Sequence, residues 1–359
     1  METDRNGFLS SRLNQKITER QVVYMSKILI IHTGGTIGMT KTANGYRPDG
    51  EYFKDLIFQM EDLKAETMPA WDFVEVLPLL DSSRMGVREW NNVARIIADN
   101  NQEYDGFVIL HGTDTMAYTA SALSFMLKGL KKPVILTGSQ IPLCEVRSDA
   151  RDNLITSMLI AGEAKVKEVC IYFGGLLLRG NRTTKYSALG MRAFKSPNYP
   201  NLATAGTAIQ YNEAAFLKNE EEVFRFCPFK DIPIGVVKIF PGFRFDLFES
   251  LLTEKLKGVV IETFGTGNIP DDQGTLLPML EKTEKNGAVF VVCSQCPQAS
   301  VDMNTYEAGS SLKKAGALSG RDMTSEAAVT KLYYLFSICE DIATIKELME
   351  TDLCGELSI

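Results

Sequence analysis

The chain has 359 residues, more than the ~100–150 residues of a typical single core, which predicts two domains. Hydrophobic residues make up 45% of the chain and charged residues 23%, as in an ordinary globular protein, which argues against a disordered or fibrous chain. The formal net charge of -7 supplies no broad basic surface, so we expect neither nucleic acid nor an anionic membrane as a partner.

Residues 1–25 mix acidic, basic and polar side chains and lack the continuous apolar core of a secretory signal. We therefore expect a flexible N-terminal extension and no export. The seven cysteines are an odd number without regular spacing, which is typical of thiols that stay reduced. No apolar run approaches the ~18 residues that a membrane-spanning helix needs. These features predict a cytoplasmic protein.

From residue 26 onward the chain alternates a short apolar run, a loop of small polar residues and a segment with helical periodicity, which is typical of β-loop-α units. The predicted strands of the first part are residues 28–32, 106–111, 133–137 and 168–173. Their uniformly apolar sequences favour parallel strands that are covered on both faces. Residues 88–100 and 115–130 carry the apolar stripes of packed helices. We interpret residues 26–211 as an N-terminal α/β domain with a mostly parallel sheet.

Residues 187–231 lose this alternation and contain several prolines and a charged run, so we expect loops there, with an interdomain linker at 212–231. The alternation then resumes in a smaller block, residues 232–359. Its predicted strands are residues 234–240, 258–264 and 288–292, and its predicted helices lie near 246–256, 275–286, 324–338 and 341–351. The sequence thus predicts a second, smaller α/β domain at the C-terminal end.

Loops rich in threonine and glycine follow two of the predicted strands, TGGT at 33–36 and GTDT at 112–115. Ligands of open α/β sheets bind beyond the carboxyl ends of the strands, so both loops are expected at one crevice. The crevice would contain several hydroxyl groups and the carboxylate of Asp114.

Three common site chemistries do not fit these loops. The glycines at 34–38 lack the spacing of a dinucleotide or phosphate loop, and we expect no cofactor. Only His32 and His111 are present and no H-E-x-x-H motif occurs, so a catalytic metal is not expected. A Ser-His-Asp hydrolase would need G-x-S-x-G, which is absent. A hydroxyl nucleophile can instead use a neutral lysine as its base, and Lys185 is the best-placed candidate.

Four motifs together resemble the bacterial type I (cytoplasmic) L-asparaginases of the asparaginase/glutaminase family. The motifs are TGGTIG at 33–38, HGTDT at 111–115, TGSQ at 137–140 and GNRTTK at 180–185. The similarity runs from Lys27 to Glu356. It implies a hydrolase that converts L-asparagine to L-aspartate and ammonia through a threonine acyl-enzyme, without a cofactor, as a homodimer or homotetramer.

The resemblance also assigns a nucleophile and its helper. Thr36, the second threonine of TGGT, would attack the amide carbon of the substrate. Tyr46 would lie on a mobile lid and assist Thr36. The residues alone leave other interpretations open, because Thr36 can cap the following helix and Tyr46 can simply pack against its neighbours.

By the same resemblance, Thr113, Asp114 and Lys185 form a second group of hydroxyl, carboxylate and amine. Asp114 would also bind the α-ammonium of the substrate through a charge-assisted contact. The substrate's α-carboxylate would be held by a short segment comprising Asp81, Ser82 and Ser83. Of these three, Ser82 is the stronger candidate, and Asp81 can alternatively be a turn residue.

The pair Ser82-Ser83 stands where many periplasmic relatives have Ser-Gln, which fits the cytoplasmic branch and favours asparagine over glutamine. Two other functions suit the same fold. An asparaginase-like subunit of a tRNA-dependent amidotransferase normally carries an extra N-terminal domain, whereas only residues 1–25 precede the first predicted strand here. A non-catalytic amino-acid sensor would need Asp114 and Ser82 but would have no use for an activated Thr36.

Overall fold

The computed structural model describes residues 26–43, 45–218, 223–251, 255–270, 274, 276–303 and 307–358. The predicted extension at 1–25 lies outside the described residues. The strands form a larger, mostly parallel sheet in the N-terminal part and a smaller, parallel sheet in the C-terminal part. This confirms the predicted α/β class and the relative size of its two sheets.

The strands are β1 (Lys27–Gly34), β2 (Met39–Thr42), β3 (Gly45–Pro48), β4 (Ala70–Leu80), β5 (Gly106–Leu110), β6 (Val134–Thr137), β7 (Val169–Phe173), β8 (Leu176–Arg179), β9 (Thr184–Lys185), β10 (Phe194–Lys195), β11 (Ala203–Ala205), β12 (Ile209–Tyr211), β13 (Ile234–Lys238), β14 (Gly258–Thr263), β15 (Val289–Ser294) and β16 (Leu318–Ser319). The helices are α1 (Gly50–Gln59), α2 (Val87–Asp99), α3 (Met116–Met126), α4 (Ala150–Glu163), α5 (Leu276–Lys285), α6 (Glu307–Lys314), α7 (Ser325–Ile338) and α8 (Ile342–Met349). Short 3-10 helices lie at Thr36–Gly38, Glu61–Lys64, Ser82–Arg84, Gly180–Arg182, Glu213–Ala215 and Phe245–Phe248.

The larger sheet has the order β12-β11-β8-β7-β6-β5-β1-β4. Its strand β1 is apolar because both of its faces are covered. Ile28 and Ile30 belong to one buried cluster, while Leu29 and Ile31 belong to another on the opposite face. Successive side chains of a strand point to opposite faces, so alternation of the two clusters along β1 follows directly. This explains why the strand reads as a continuous apolar run.

The smaller sheet has the order β13-β14-β15-β16, and all of its pairs are parallel. Helix α7 packs against β14 of this sheet and also against α3 of the N-terminal part. The rings of Phe125 and Tyr334 stack between those two helices at 5.7 Å. One buried apolar cluster therefore includes residues of both sheets, among them Phe107 and Val260. The division at 212–231 stays a prediction.

The expectation that residues 187–231 form only loops is wrong. They include β10, β11 and β12, and β11 pairs antiparallel with both β8 and β12, which extends the larger sheet at one edge. These strands have only two or three residues, too few for a recognisable hydrophobic period. The predicted helix at 246–256 coincides in part with the 3-10 helix Phe245–Phe248, and its residues 252–254 lie outside the described part of the chain.

Candidate active site

The two threonine-rich loops lie in direct backbone contact. Strand β1 ends at Gly34, and Gly35 has a φ of 84°, in the region that favours glycine. A Cβ atom on Gly35 would lie 2.4 Å from the backbone nitrogen of Gly112. A Cβ on Gly112 would in turn lie 2.6 Å from Oγ of Ser82. Glycine at both positions therefore brings the loops of Thr36, Thr113 and Ser82 together.

Thr36 is the first residue of the 3-10 helix that follows β1 and is partly buried. The N-cap of that helix is Gly35, so the interpretation of Thr36 as a helix cap does not hold. Within the described part of the chain, its hydroxyl has no hydrogen-bond partner. A partly exposed hydroxyl without such a partner is available to attack a bound substrate.

Thr113, Asp114 and Lys185 form one hydrogen-bonded group. Nζ of Lys185 donates to Oγ1 of Thr113 at 2.8 Å and to Oδ1 of Asp114 at 2.6 Å. Thr113 is buried, and the side chain of Lys185 is 17% exposed, whereas that of Asp114 is 67% exposed. The amine is thus largely enclosed, while the carboxylate opens to solvent. This arrangement can hold a cation on the outer side of Asp114 and move a proton at Thr113.

The segment from Asp81 to Ser83 adjoins this group. Asp81 caps the 3-10 helix Ser82–Arg84, since its Oδ1 accepts a hydrogen bond from the Ser83 backbone at 2.9 Å, which lowers the pKa of Asp81. Ser82 is buried, and its carbonyl accepts a hydrogen bond from the hydroxyl of Thr115 at 2.7 Å. Ser83 is exposed. Asp81 is therefore a turn residue that also shapes the loop.

Tyr46 lies on the hairpin of β2 and β3 and is 47% exposed. Its hydroxyl donates to Oε1 of Glu145 at 2.7 Å, and this hydrogen bond raises the pKa of Tyr46. The structure thus engages the Tyr46 hydroxyl with Glu145 and does not bring it to Thr36. Glu145 could not be predicted from the sequence, because it belongs to none of the four motifs and lies 99 residues from Tyr46.

The two histidines are buried and are held neutral by different surroundings. The ring of His111 has Gly112 O at 2.7 Å and the Thr119 hydroxyl at 2.9 Å. The ring of His32 has no hydrogen-bond partner among the described residues and packs on Phe53 at 4.7 Å. Burial lowers the pKa of each histidine to about 4. Among the described residues, neither ring forms a hydrogen bond with Thr36 or Thr113.

The described residues contain neither a metal-binding cluster nor a membrane-spanning helix. No cluster of three or more His, Cys, Asp or Glu side chains within them is arranged to hold a metal ion. Likewise, none of their helices combines the length and the apolar composition needed to cross a membrane.

The chain is similar along most of its length to known asparaginases. The N-terminal asparaginase model matches residues 27–217, and the glutaminase/asparaginase C-terminal domain model matches residues 233–349. L-asparaginase 1 of Escherichia coli strain K12 is 43% identical over 331 residues, which cover 92% of this chain and 98% of that protein. The crystal structure of L-asparaginase I from Vibrio cholerae matches with a TM-score of 0.85 at 40% identity and covers 93% of this chain and 99% of its own.

A more distant relative has a different role. A glutamyl-tRNA(Gln) amidotransferase component of Thermococcus kodakarensis is 31% identical over 347 residues, but the match covers 93% of this chain and only 77% of that protein. The two family models and the relatives that match end to end confirm the resemblance carried by the four motifs. The chain belongs to the asparaginase family.

Proposed function

We propose that this chain is a cytoplasmic type I L-asparaginase that hydrolyses the side-chain amide of L-asparagine to give L-aspartate and ammonia. The observation that carries the proposal is the hydrogen-bonded group of Lys185, Thr113 and Asp114 beside the loop of Thr36. Such a group combines a hydroxyl, an amine and a carboxylate in direct contact, which suits hydrolysis of an amino-acid amide. The similarity to L-asparaginase 1 over nearly the whole of both chains supports the same activity.

In the proposed mechanism, Oγ1 of Thr36 attacks the amide carbon and forms an ester with the aspartyl group, and the amide nitrogen leaves as ammonia after it gains a proton. Water then attacks the same carbon, breaks the ester and releases L-aspartate. Lys185 is proposed to move a proton in one of these steps, which its 2.8 Å hydrogen bond to Thr113 supports. Tyr46 assists Thr36 once its hydroxyl leaves Glu145.

The substrate is recognised by charge at its α-carbon. Asp114 is open on its outer side, so its carboxylate can accept a hydrogen bond from the α-ammonium. The loop of Ser82 and Ser83 is proposed to hold the α-carboxylate, with the backbone of that loop kept in place by Asp81. A plain amide that lacks the α-ammonium would leave Asp114 without this contact and would bind more weakly.

The proposal includes location and assembly. All seven cysteines of the chain are free thiols, which suits the reducing cytoplasm. We propose a homodimer or homotetramer, and light scattering of the purified protein at two concentrations distinguishes these from a monomer. A monomer that is fully active would contradict this part of the proposal alone.

The decisive experiment is ammonia release by the purified chain from L-asparagine and, in parallel, L-glutamine, over a range of concentrations. We expect turnover of asparagine without any added protein and a clear preference over glutamine. The matched control is Thr36→Ala, which should be inactive but folded. If the native chain released no ammonia alone and did so only with a partner protein, the amidotransferase function would replace the one proposed here.

A further inference from the structure

The strand that carries Lys185 is weakly held by its own sheet. Strand β9 has two residues, and among the described strands its one partner is β10, which also has two residues. Neither of the large sheets includes β9. A two-residue ladder cannot by itself fix the position of a side chain to a fraction of an ångström, yet a misplacement of about 1 Å is enough to cost a hundredfold in rate. Other contacts must therefore hold Lys185 in position.

The polar side chains that precede Lys185 supply such contacts, and they reach the C-terminal part of the chain. Arg179 donates to the Gly355 carbonyl at 3.3 Å, and Asn181 donates to the Cys354 carbonyl at 3.0 Å. Closer to the lysine, Thr184 donates from its hydroxyl to Oε1 of Glu326 at 2.7 Å. The segment is thus attached repeatedly to one region of the molecule.

Arg182 is the strongest of these attachments. Its side chain is 1% exposed, and its guanidinium donates to both carboxylate oxygens of Asp322, at 3.1 and 2.6 Å, in a bidentate pair. It also donates to the Glu356 carbonyl at 2.7 Å and to the hydroxyl of Ser358 at 3.1 Å. A buried arginine with several directed acceptors is held in one geometry, and this supports the backbone three residues before Lys185.

Glu326 provides the last attachment before the lysine. It lies in the first turn of α7, whose N-cap Thr324 accepts a hydrogen bond from the Ala327 backbone. Burial raises the pKa of Glu326, and its hydrogen bond with Thr184 acts in the opposite direction. Helix α7 is packed between the C-terminal sheet and α3, so it is a rigid support for Thr184. The neighbouring Thr183 differs, because its hydroxyl bonds locally to the Arg179 carbonyl at 2.6 Å.

We propose that the C-terminal part of the chain positions the catalytic lysine, with Arg182 and Thr184 as positioning residues that act through Asp322 and Glu326. This inference rests on the proposed role of Lys185 in the asparaginase reaction. The C-terminal part thereby contributes to the rate within the same chain, although it supplies none of the predicted site residues. Loss of the Thr184–Glu326 contact displaces Lys185 from Thr113 while the substrate-binding loops stay in place.

The test compares the same substitution at two adjacent threonines. Thr184→Val removes the contact to Glu326, and we expect kcat for asparagine to fall by about tenfold to a hundredfold while KM changes by less than about threefold. Thr183→Val, the matched control, also removes a buried hydroxyl but leaves that contact intact, and its kcat should stay within about threefold of the native value. Thr184→Ser keeps the hydroxyl and should restore the rate.

Two further measurements separate positioning from general destabilisation. Glu326→Gln keeps an acceptor oxygen and should retain the native kcat, whereas Glu326→Met should lower kcat as much as Thr184→Val does. The double variant Thr184→Val/Glu326→Met should have a kcat no lower than that of either single variant. In a Lys185→Met background, Thr184→Val should cause no further loss, because it acts through the missing amine. Additive losses in that background, or equal losses in Thr183→Val and Thr184→Val, would overturn the positioning role.

The same data distinguish failure of this inference from failure of the proposed function. An inactive Lys185→Met together with a fully active Thr184→Val would overturn the positioning inference and leave the role of Lys185 intact. A Lys185→Met variant with nearly native kcat would overturn the role of Lys185 and, with it, the inference that depends on it. Far-ultraviolet circular dichroism and the melting temperature of each variant verify that the comparison is made between folded proteins.

Discussion

Acid should destabilise this protein through its two buried histidines. His32 and His111 are fully buried, and burial lowers the pKa of each to about 4, from an ordinary value of 6.5. His32 is the simpler case, because its ring packs against Phe53 and Phe73 and has no hydrogen-bond partner among the described residues. A proton on that ring would place an unpaired charge in an aromatic environment.

The sign and size of the effect follow from proton linkage. Between pH 6.5 and pH 4 the unfolded chain binds protons on these histidines and the folded chain does not, so the free energy of unfolding decreases as the pH falls through this window. The contribution is fully present above pH 6.5. Each unit of pKa difference corresponds to ~1.36 kcal/mol. Relative to pH 7, each histidine should therefore lower the free energy of unfolding by about 2 kcal/mol at pH 5 and by about 3 kcal/mol below pH 4.

The assay is urea unfolding at fixed protein concentration, at pH 7 and at pH 5, for the native chain and two variants. His32→Leu removes one titrating ring and should lose about 2 kcal/mol less between the two pH values than the native chain does. Phe53→Leu, which alters the same aromatic cluster without removing a titrating group, should lose as much as the native chain. Identical pH dependence in His32→Leu and the native chain would refute the reasoning.

Three predictions concern catalysis. Thr36→Ala should fold normally and lose several orders of magnitude in kcat, and a slow aspartyl analogue should add its mass to the peptide that contains Thr36 in the native chain. Asp114→Ala should severely impair asparagine hydrolysis, and N-acetylasparagine should be a poor substrate of the native enzyme, as steady-state kinetics would reveal. Lys185→Arg should be nearly as inactive as Lys185→Met, since arginine keeps the charge but does not release its proton. If Lys185→Arg kept more than about a tenth of the native kcat, the activation barrier would have risen by less than ~1.4 kcal/mol, and Lys185 would be excluded as a base.

The strands that could be predicted from the sequence are those whose side chains are buried on both faces of the sheet. Strands β1, β5, β6 and β7 are buried on both faces, so they contain almost only apolar residues and stand out. Strand β4, with eleven residues, is longer than any of them but was not predicted. It forms the edge of the sheet, and many of its side chains are exposed or half-buried, so polar residues such as Asp72 and Glu75 interrupt the apolar pattern.

The candidate site divides in the same way. Thr36, Thr113 and Asp114 follow directly from strands, so their local sequence already places them at the carboxyl edge of the sheet. Glu145 and Glu326 do not follow a predicted strand. Each is recognised only by its hydrogen-bond partner, Tyr46 at a separation of 99 residues for Glu145 and Thr184 at a separation of 142 residues for Glu326. A glutamate in a loop or in the first turn of a helix is common in any protein.

Short motifs reveal some physical constraints on the fold and not others. A Cβ atom on Gly35 or Gly112 would collide with the adjoining loop, so contact between the two loops requires glycine at both positions. These glycines belong to the TGGT and GTDT motifs, and the motifs therefore indicate the contact. The hydrogen bond between Thr184 and Glu326 joins two residues that are 142 positions apart, so the sequence around either residue does not indicate it. The residues proposed to react can therefore be predicted from local sequence, whereas the residues proposed to hold them in place are recognised only in the folded chain.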